Sequence, residues 1–483
     1  MAIGLLAGFE TAILQCTALH KPRGHRTSNC RTQLALRAVR FWLPLILVSR
    51  LVAQDAATIG QWSPVMTWPW MAVHAHVLPT GKVMYWPQFG FGDNPTLWDP
   101  STGTNSALTK SGANIFCSGH AFLPDGELFV AGGHETNWVG LPNAYRYNPF
   151  TNSWIRLPDM NNGRWYPTST TLPNGDILVI SGWVDTTVGV NVEPQIWQNA
   201  TGSWRNLTAA HLALPFYPFM HLAPNGKVFC AGPSQMSRYL DVTGTGAWSL
   251  VGNSKYGTRN WGSSVMYDDG KVLLMGGTPC APYSSCVTLP TATAEIINLN
   301  NPTPAWTYTG SMVTGGRKLH NATLLADGTV LVTGGSRGGE DPNNQPKNPA
   351  YAAELWDPAT GTWTTMASLT TIRSYHSIAL LLPDGRVLSA GCAFGGTSAE
   401  IYSPPYLFKG SRPTITSAPT SVAYGQLFFV GTPDATSISR VTLIALGSVT
   451  HDFNMGQRIN RPAFSQASGG LNLVAHVDRK SVV

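Results

Sequence analysis

Seven short stretches of the 483-residue chain place a glycine turn between two apolar runs. The residue nine positions before each turn glycine is Ala72, Cys117, Tyr166, Tyr217, Trp261, Leu319 or His376. A thiol, two phenols and an imidazole therefore share one register of a repeat, and Tyr375 stands beside His376. Phenolate oxygen and imidazole nitrogen suit Cu(II), whose tetragonal geometry takes N and O donors. Adjacent residues of a regular strand point to opposite faces. Tyr375 and His376 can thus serve one ion only if they sit at the first, irregular residue of the strand. Each residue also has an ordinary structural role: a tyrosine packs with its hydroxyl hydrogen bonded, a buried cysteine behaves as a small hydrophobe, and a histidine is a hydrogen bonder. The shared register sets the group apart. His320 lies one place off it, and His74, His76, His120, His134, His211 and His221 have no comparable support, so these are read as structural.

The elements that must position these side chains are the repeats themselves. "LPTGKVMYW", "LPDGELFVAGG", "LPNGDILVISG", "APNGKVFCAG", "YDDGKVLLMGG", "LADGTVLVTGG" and "LPDGRVLSAGC" read as strand, turn, strand, with turn glycines 81, 126, 175, 226, 270, 328 and 385. Asp-Gly and Asn-Gly mark hairpins because glycine tolerates the positive φ of a tight reversal. The spacing of 44 to 58 residues is that of a four-stranded propeller blade. A second signature, as in "LWDPSTG" and "LWDPATGTW", supplies the outer hairpin. The expectation is an all-β, seven-bladed, kelch-type β-propeller. Equivalent positions in such a ring face a common axis, and most of the tryptophans fill space between blades.

The rest of the chain bounds the setting. High glycine and proline with only 12% charged residues excludes long solvated helices. A net charge of +6 without a Lys/Arg run excludes nucleic acid as a partner. Residues 37–54 have basic, apolar and small-residue parts in the order of a secretory signal, with an apolar run too short to cross a bilayer. Residues 1–36 carry no clear pattern, which points to a start further in than Met1. The domains are read as 1–54 upstream extension and signal, 55–410 propeller, and 411–483 a small C-terminal Ig-like β-sandwich. Export makes a Cys280–Cys286 disulfide possible in "CAPYSSC", and leaves Asn199, Asn206 and Asn321 as glycan acceptors in a suitable host.

The quoted residues resemble the galactose oxidase and glyoxal oxidase family of copper radical oxidases, from about residue 60 to 475. "IFCSGHAFLPDG" is similar to the family segment with the cysteine, "GRWYPTSTTLPNGDILVISG" to that with the cross-linked tyrosine, "RSYHSIALLLPDGRV" to the Tyr-His pair, and "GSVTHDFNMGQR" to the loop that brings a final histidine through the propeller's hole. The resemblance implies copper ligands Tyr166, Tyr375, His376 and His451, with Cys117 bonded through sulfur to the ring of Tyr166. It implies a thioether-linked tyrosyl radical on Tyr166 that takes a hydrogen atom from substrate, and Tyr375 as general base. Alcohol or aldehyde-hydrate oxidation removes two electrons while copper takes one, so a second oxidisable group is needed, and O₂ returns as hydrogen peroxide.

Within that resemblance the glyoxal oxidase branch is nearer. Pro218 follows Tyr217 where galactose oxidase carries a substrate-binding arginine, and Val184 stands at the place of its stacking tryptophan, with Trp183 beside it. Small aldehydes or primary alcohols, with O₂, are therefore the expected substrates of a secreted, periplasmic or extracellular monomer without a membrane span. A galactose or alcohol oxidase with the same cofactor, and a non-catalytic propeller that binds glycans or proteins, are the alternatives. Tyr217, Trp183, Trp261, Leu319 and Tyr283 are the candidates for the substrate pocket. The chain ends "LNLVAHVDRKSVV" soon after His451, which gives the expectation of a truncated last domain with an unpaired edge.

Overall fold

A computed structural model describes residues 56–474 except 283, 285, 339–345, 393, 395 and 424. The seven glycine hairpins open seven antiparallel sheets arranged as blades. Their inner strands are His74–Val77, Gly119–Phe122, Thr168–Thr171, Phe219–Leu222, Ser263–Asp268, Asn321–Leu324 and Ile378–Leu381, in blades 1 to 7. Each pairs across its turn with a second, fully or largely buried strand such as Leu128–Ala131 or Val330–Thr333.

These strands are walled by blades on both faces, so they read as apolar runs rather than alternating ones. Between blades 7 and 1, Ile378, Leu380 and Leu388 meet Ala75, Val77, Val83 and Tyr85. Fully burying one such aliphatic side chain contributes ~1.5–3 kcal/mol. Blade 7 is completed from the other end of the ring: Gln61–Trp62 and Met66–Thr67 pair with Ser398–Ser403.

A buried arginine ties the loop before each of several inner strands to its own blade. Arg259 meets Glu295 at 2.7 Å, Arg373 meets Glu400 at 3.4 Å, and Arg317 pairs with Glu354. Each guanidinium also donates to the carbonyl of Gly276, Gly391 or Gly334 at the end of a second strand. In blade 3 Arg164 donates instead to the Ser181 and Glu193 carbonyls, and burial pulls it down to about 9.

Past the ring, Leu427–Gly431, Gly470–Val474 and Phe464–Ala467 form one sheet, and Leu443–Ile444 pairs with Ile459–Asn460. Phe428, Leu471 and Leu473 make the core of this part, while Leu427 and Phe429 are exposed. The expectation about missing final strands concerns residues beyond 474, outside the described ones. The hairpin Ser448–Thr450/Phe453–Asn454 leaves this part and enters the ring, where Ser448, Val449 and Thr450 pair with His76, Ala75 and His74 of blade 1. Its two loop residues, His451 and Asp452, have φ of 45° and 72°, the geometry of a tight two-residue reversal. Cys280 and Cys286 form a disulfide. No described helix is long and apolar enough to cross a membrane.

Candidate metal centre

Six of the seven register residues share one unusual backbone state. Cys117, Tyr166, Tyr217, Trp261, Leu319 and His376 have φ of 61°, 69°, 42°, 57°, 58° and 65°. This left-handed conformation costs a non-glycine residue roughly 1–2 kcal/mol, so side chains are kept here against a penalty that glycine would remove. The turn also explains the Tyr375–His376 pair: both precede the strand Ile378–Leu381, and their rings stack at 3.9 Å between centroids. Adjacent blades are stitched at this level by backbone bonds, from Tyr166 N–H to Cys117 C=O at 2.8 Å, Tyr217 to Tyr166 at 3.0 Å, and Leu319 to Trp261 at 2.8 Å.

The hydroxyls of Tyr166 and Tyr375 are 2.6 Å apart. The His451 ring, carried in by the hairpin, lies 4.5 Å from those of Tyr166 and His376 and 5.6 Å from that of Tyr375. Hydrogen bonds fix both imidazole tautomers. Gln88 Oε1 can only accept, so His376 Nδ1 carries the hydrogen of their 2.7 Å bond. The Thr450 hydroxyl donates to the Val73 carbonyl, so its oxygen accepts from His451 Nδ1–H at 2.6 Å. Nε2 of each ring is left with a bare lone pair, buried and without a hydrogen-bond partner among the described residues.

Burial holds both histidines in the neutral form: His376 is pulled down to about 3, and His451 falls well below its ordinary value through burial first and then His376 and His120. Two orphaned imidazole nitrogens beside two phenol oxygens fit a copper ion, and neutral imidazole is the ligating form. Residues that hold the unused nitrogen of a ligating histidine are the usual means of aiming such a ring, and Gln88 and Thr450 do so here.

Cys117 is fully buried in the apolar cluster that also holds Trp165 and Tyr166, and burial raises its thiol, with hydrogen bonding to Tyr166 and then Trp165 pulling the other way. The Tyr166 ring packs against two near-parallel rings: Trp165 at 4.2 Å and 12°, and Tyr217 at 4.8 Å and 22°. Trp165 donates Nε1–H to His134, and Tyr217 donates its hydroxyl to the Ser118 carbonyl.

Of the expected pocket residues, Trp261 sits edge-on to Tyr375 at 5.6 Å and Leu319 is buried in the same apolar cluster. Trp183 lies one shell out, at 5.5 Å from Trp138 and 6.0 Å from Phe216. The indole on Tyr166 is its chain neighbour Trp165, which the repeat register does not single out. Tyr283 lies outside the described residues. Gln88, Thr450 and Trp165 were missed because each stands off the register, although Trp165 is next to Tyr166 in "GRWYPT".

A cavity of about 20 Å³ adjoins His451, lined by Phe216, Tyr217, Pro233, Asn260, Trp261 and Pro282 among others. A larger one, of about 160 Å³, is lined by Pro79, Pro124 and Gly126 with Leu443–Ile444 and therefore opens at the turn end of the inner strands, away from the four donors. Only the smaller includes one of the four donors, His451, in its lining.

Residues 95–402 match the family described as glyoxal oxidase N-terminus, and 412–481 match the galactose oxidase-like Early set domain. The chain is 30% identical over 449 residues to galactose oxidase of Gibberella zeae, covering 83% of this chain and 63% of that protein. It is 28% identical over 396 residues to an aldehyde oxidase of Vitis pseudoreticulata, covering 72% of each. Among solved structures, a fungal alcohol oxidase in complex with copper superposes with a TM-score of 0.78 at 26% identity, over 87% of this chain and 94% of that one. The propeller with a hairpin in its hole is thus shared with a copper-bound fungal alcohol oxidase. The chain belongs to the galactose oxidase and glyoxal oxidase family of copper radical oxidases.

Proposed function

We propose that the protein is a secreted copper oxidase of small aldehydes, converting the aldehyde hydrate and O₂ to the carboxylic acid and hydrogen peroxide. The observation that carries this reading is the pair of orphaned Nε2 atoms, of His376 and His451, beside the 2.6 Å Tyr166–Tyr375 hydroxyl pair. Copper bound by these four side chains would polarise the substrate oxygen and take up one of the two electrons. Tyr166, joined through its ring to Cys117 and first oxidised by one electron to its phenoxyl radical, would accept a hydrogen atom from the substrate carbon. Tyr375 accepts the substrate's hydroxyl proton. Phe216, Tyr217 and Trp261 exclude water from the approach to His451.

The cavity beside His451 is small and lined mainly by Phe216, Tyr217, Trp261 and prolines, which favours a small carbonyl compound with few hydroxyls over a hexose. Primary alcohols form the second reading, supported by the copper-bound fungal alcohol oxidase. The copper and radical chemistry would be the same, with alcohol going to aldehyde. The secretory segment in residues 37–54 lies outside the described residues and belongs to this proposal.

Oxygen uptake after copper loading and oxidation tests the reading with glyoxal, methylglyoxal, a primary alcohol and galactose. Turnover of the first two ahead of galactose is expected. Tight copper binding without peroxide on any of them would leave a binding propeller instead.

A further inference from the structure

A chain of buried histidines runs behind the centre, and none of its members is used above. The backbone N–H of Cys117 points at His74 Nε2 at 3.0 Å. His74 Nδ1 lies 3.2 Å from His120 Nε2, His120 Nδ1 lies 2.6 Å from Ser448 Oγ, and Ser448 Oγ lies 2.8 Å from His76 Nδ1. A backbone N–H can only donate, and that single fact sets the hydrogens along the row as far as Ser448. His74 accepts at Nε2 and donates from Nδ1. His120 then accepts at Nε2 and donates from Nδ1 to Ser448, whose hydroxyl also bonds His76 Nδ1. The row stops there, because His76 Nε2 is buried with no partner among the described residues. A row with a buried dead end does not carry protons to solvent. What it does is fix positions.

The position it fixes is that of Cys117. In blades 3 and 4 the N–H of the register residue is held by the register carbonyl of the blade before it, Cys117 for Tyr166 and Tyr166 for Tyr217. In blade 2 that donor is taken by a side chain, His74. At φ 61° Cys117 is in a conformation that neighbours must enforce, and the far end of the row, Ser448, is on the same hairpin strand that leads to His451.

We infer that His74, backed by His120 and Ser448, is a positioning residue that sets the Cys117 sulfur against the Tyr166 ring and so controls the rate at which the two become bonded. This rests on the reading that a Cys117–Tyr166 thioether forms. In that step the Cys117 S–H and one ring C–H of Tyr166 are lost and one S–C bond is made. Two electrons and two protons pass to O₂, giving hydrogen peroxide.

The test follows the loss of two hydrogens by intact mass and the accompanying gel-mobility change, after copper-free protein is given Cu(II) in air. The wild type is expected to convert. His74→Phe should convert about tenfold more slowly at full copper occupancy, the scale of one buried hydrogen bond acting on a barrier. His74→Gln, whose Oε1 stands near the place of Nε2, should recover most of the rate. Ser448→Ala keeps the backbone pairing of the hairpin and should be slowed in the same direction, and it decides the matter if His74→Phe does not fold. A merely structural His74 would lower the melting temperature and leave the rate unchanged. Wild-type rates in the folded variants would overturn the role of His74 alone, whereas a wild type that never loses the two hydrogens would overturn the thioether reading and this one together.

Discussion

The hydroxyl of Tyr166 lies 2.6 Å from that of Tyr375, although 209 residues separate them. Two phenols at this distance share a hydrogen, and removing one hydroxyl breaks that bond in a closed site. Tyr375→Phe should therefore keep the fold and lower oxidation by about 10²–10⁴-fold, the range of a lost general base. Peroxide release by the copper-loaded variant is the measurement; activity within a factor of about three of wild type would remove Tyr375 from the proton-accepting role.

Gln88 and Thr450 each hold the Nδ1 hydrogen of one imidazole, His376 or His451, that is proposed to bind copper. Gln88→Leu or Thr450→Val frees the ring to turn, and copper affinity should fall about 10–100-fold. Competition against a chelator reads this directly. Unchanged affinity in both variants would mean that packing alone aims the two rings.

Cys117→Ser removes the sulfur that hydrogen bonds to Tyr166 but no donor to copper. Copper should still bind, while the two-hydrogen mass loss and the shift in gel mobility disappear. A retained mobility shift would place the cross-link elsewhere.

Acid should unfold the copper-free protein early. Burial holds His221 at about 3, and burial followed by Arg317 and Arg259 does the same for His320. In the unfolded chain both titrate near 6.5. As pH falls from 6.5 toward 3 the unfolded state binds protons that the folded state refuses, so stability drops by ~1.4 kcal/mol per pH unit for each histidine. Above 6.5 neither contributes a slope. Urea midpoints between pH 4 and 7 should be less steep in His320→Leu than in wild type; equal slopes would show that His320 is protonated in the fold.

Glu295 is fully buried against Arg259. Glu295→Ala strands that guanidinium and should cost about 3–5 kcal/mol, read from equilibrium unfolding in urea. A loss below about 1 kcal/mol would mean that the carbonyls of Gly276 and Thr293 suffice to hold it.

The blades were legible because a tight reversal demands glycine, and seven turn glycines in one pattern leave little choice of architecture. The register nine residues upstream was legible for the same reason. Its left-handed backbone was not, since positive φ is read from glycine or asparagine and these positions hold cysteine, tyrosine, tryptophan, leucine and histidine. The structure also shows why His74 and His120 read as merely structural in the sequence: each is ordinary alone, and only the pairing of blade 1 with Ser448–Thr450 aligns them with Cys117. Trp183 stands out in the sequence only as the neighbour of Val184, at the place of the family's stacking tryptophan, whereas the indole stacked on Tyr166 is Trp165.

The hairpin that supplies His451 also dictates an order of events. The other three donors are in place in the chain by residue 376, yet Ser448–Thr450 must thread into a ring whose seventh blade is held shut by Gln61–Trp62 and Met66–Thr67. A nascent chain emerging from the ribosome can complete every blade and still offer the ion only one imidazole. On the proposed set of four ligands, metal acquisition would be deferred until translation has passed the hairpin.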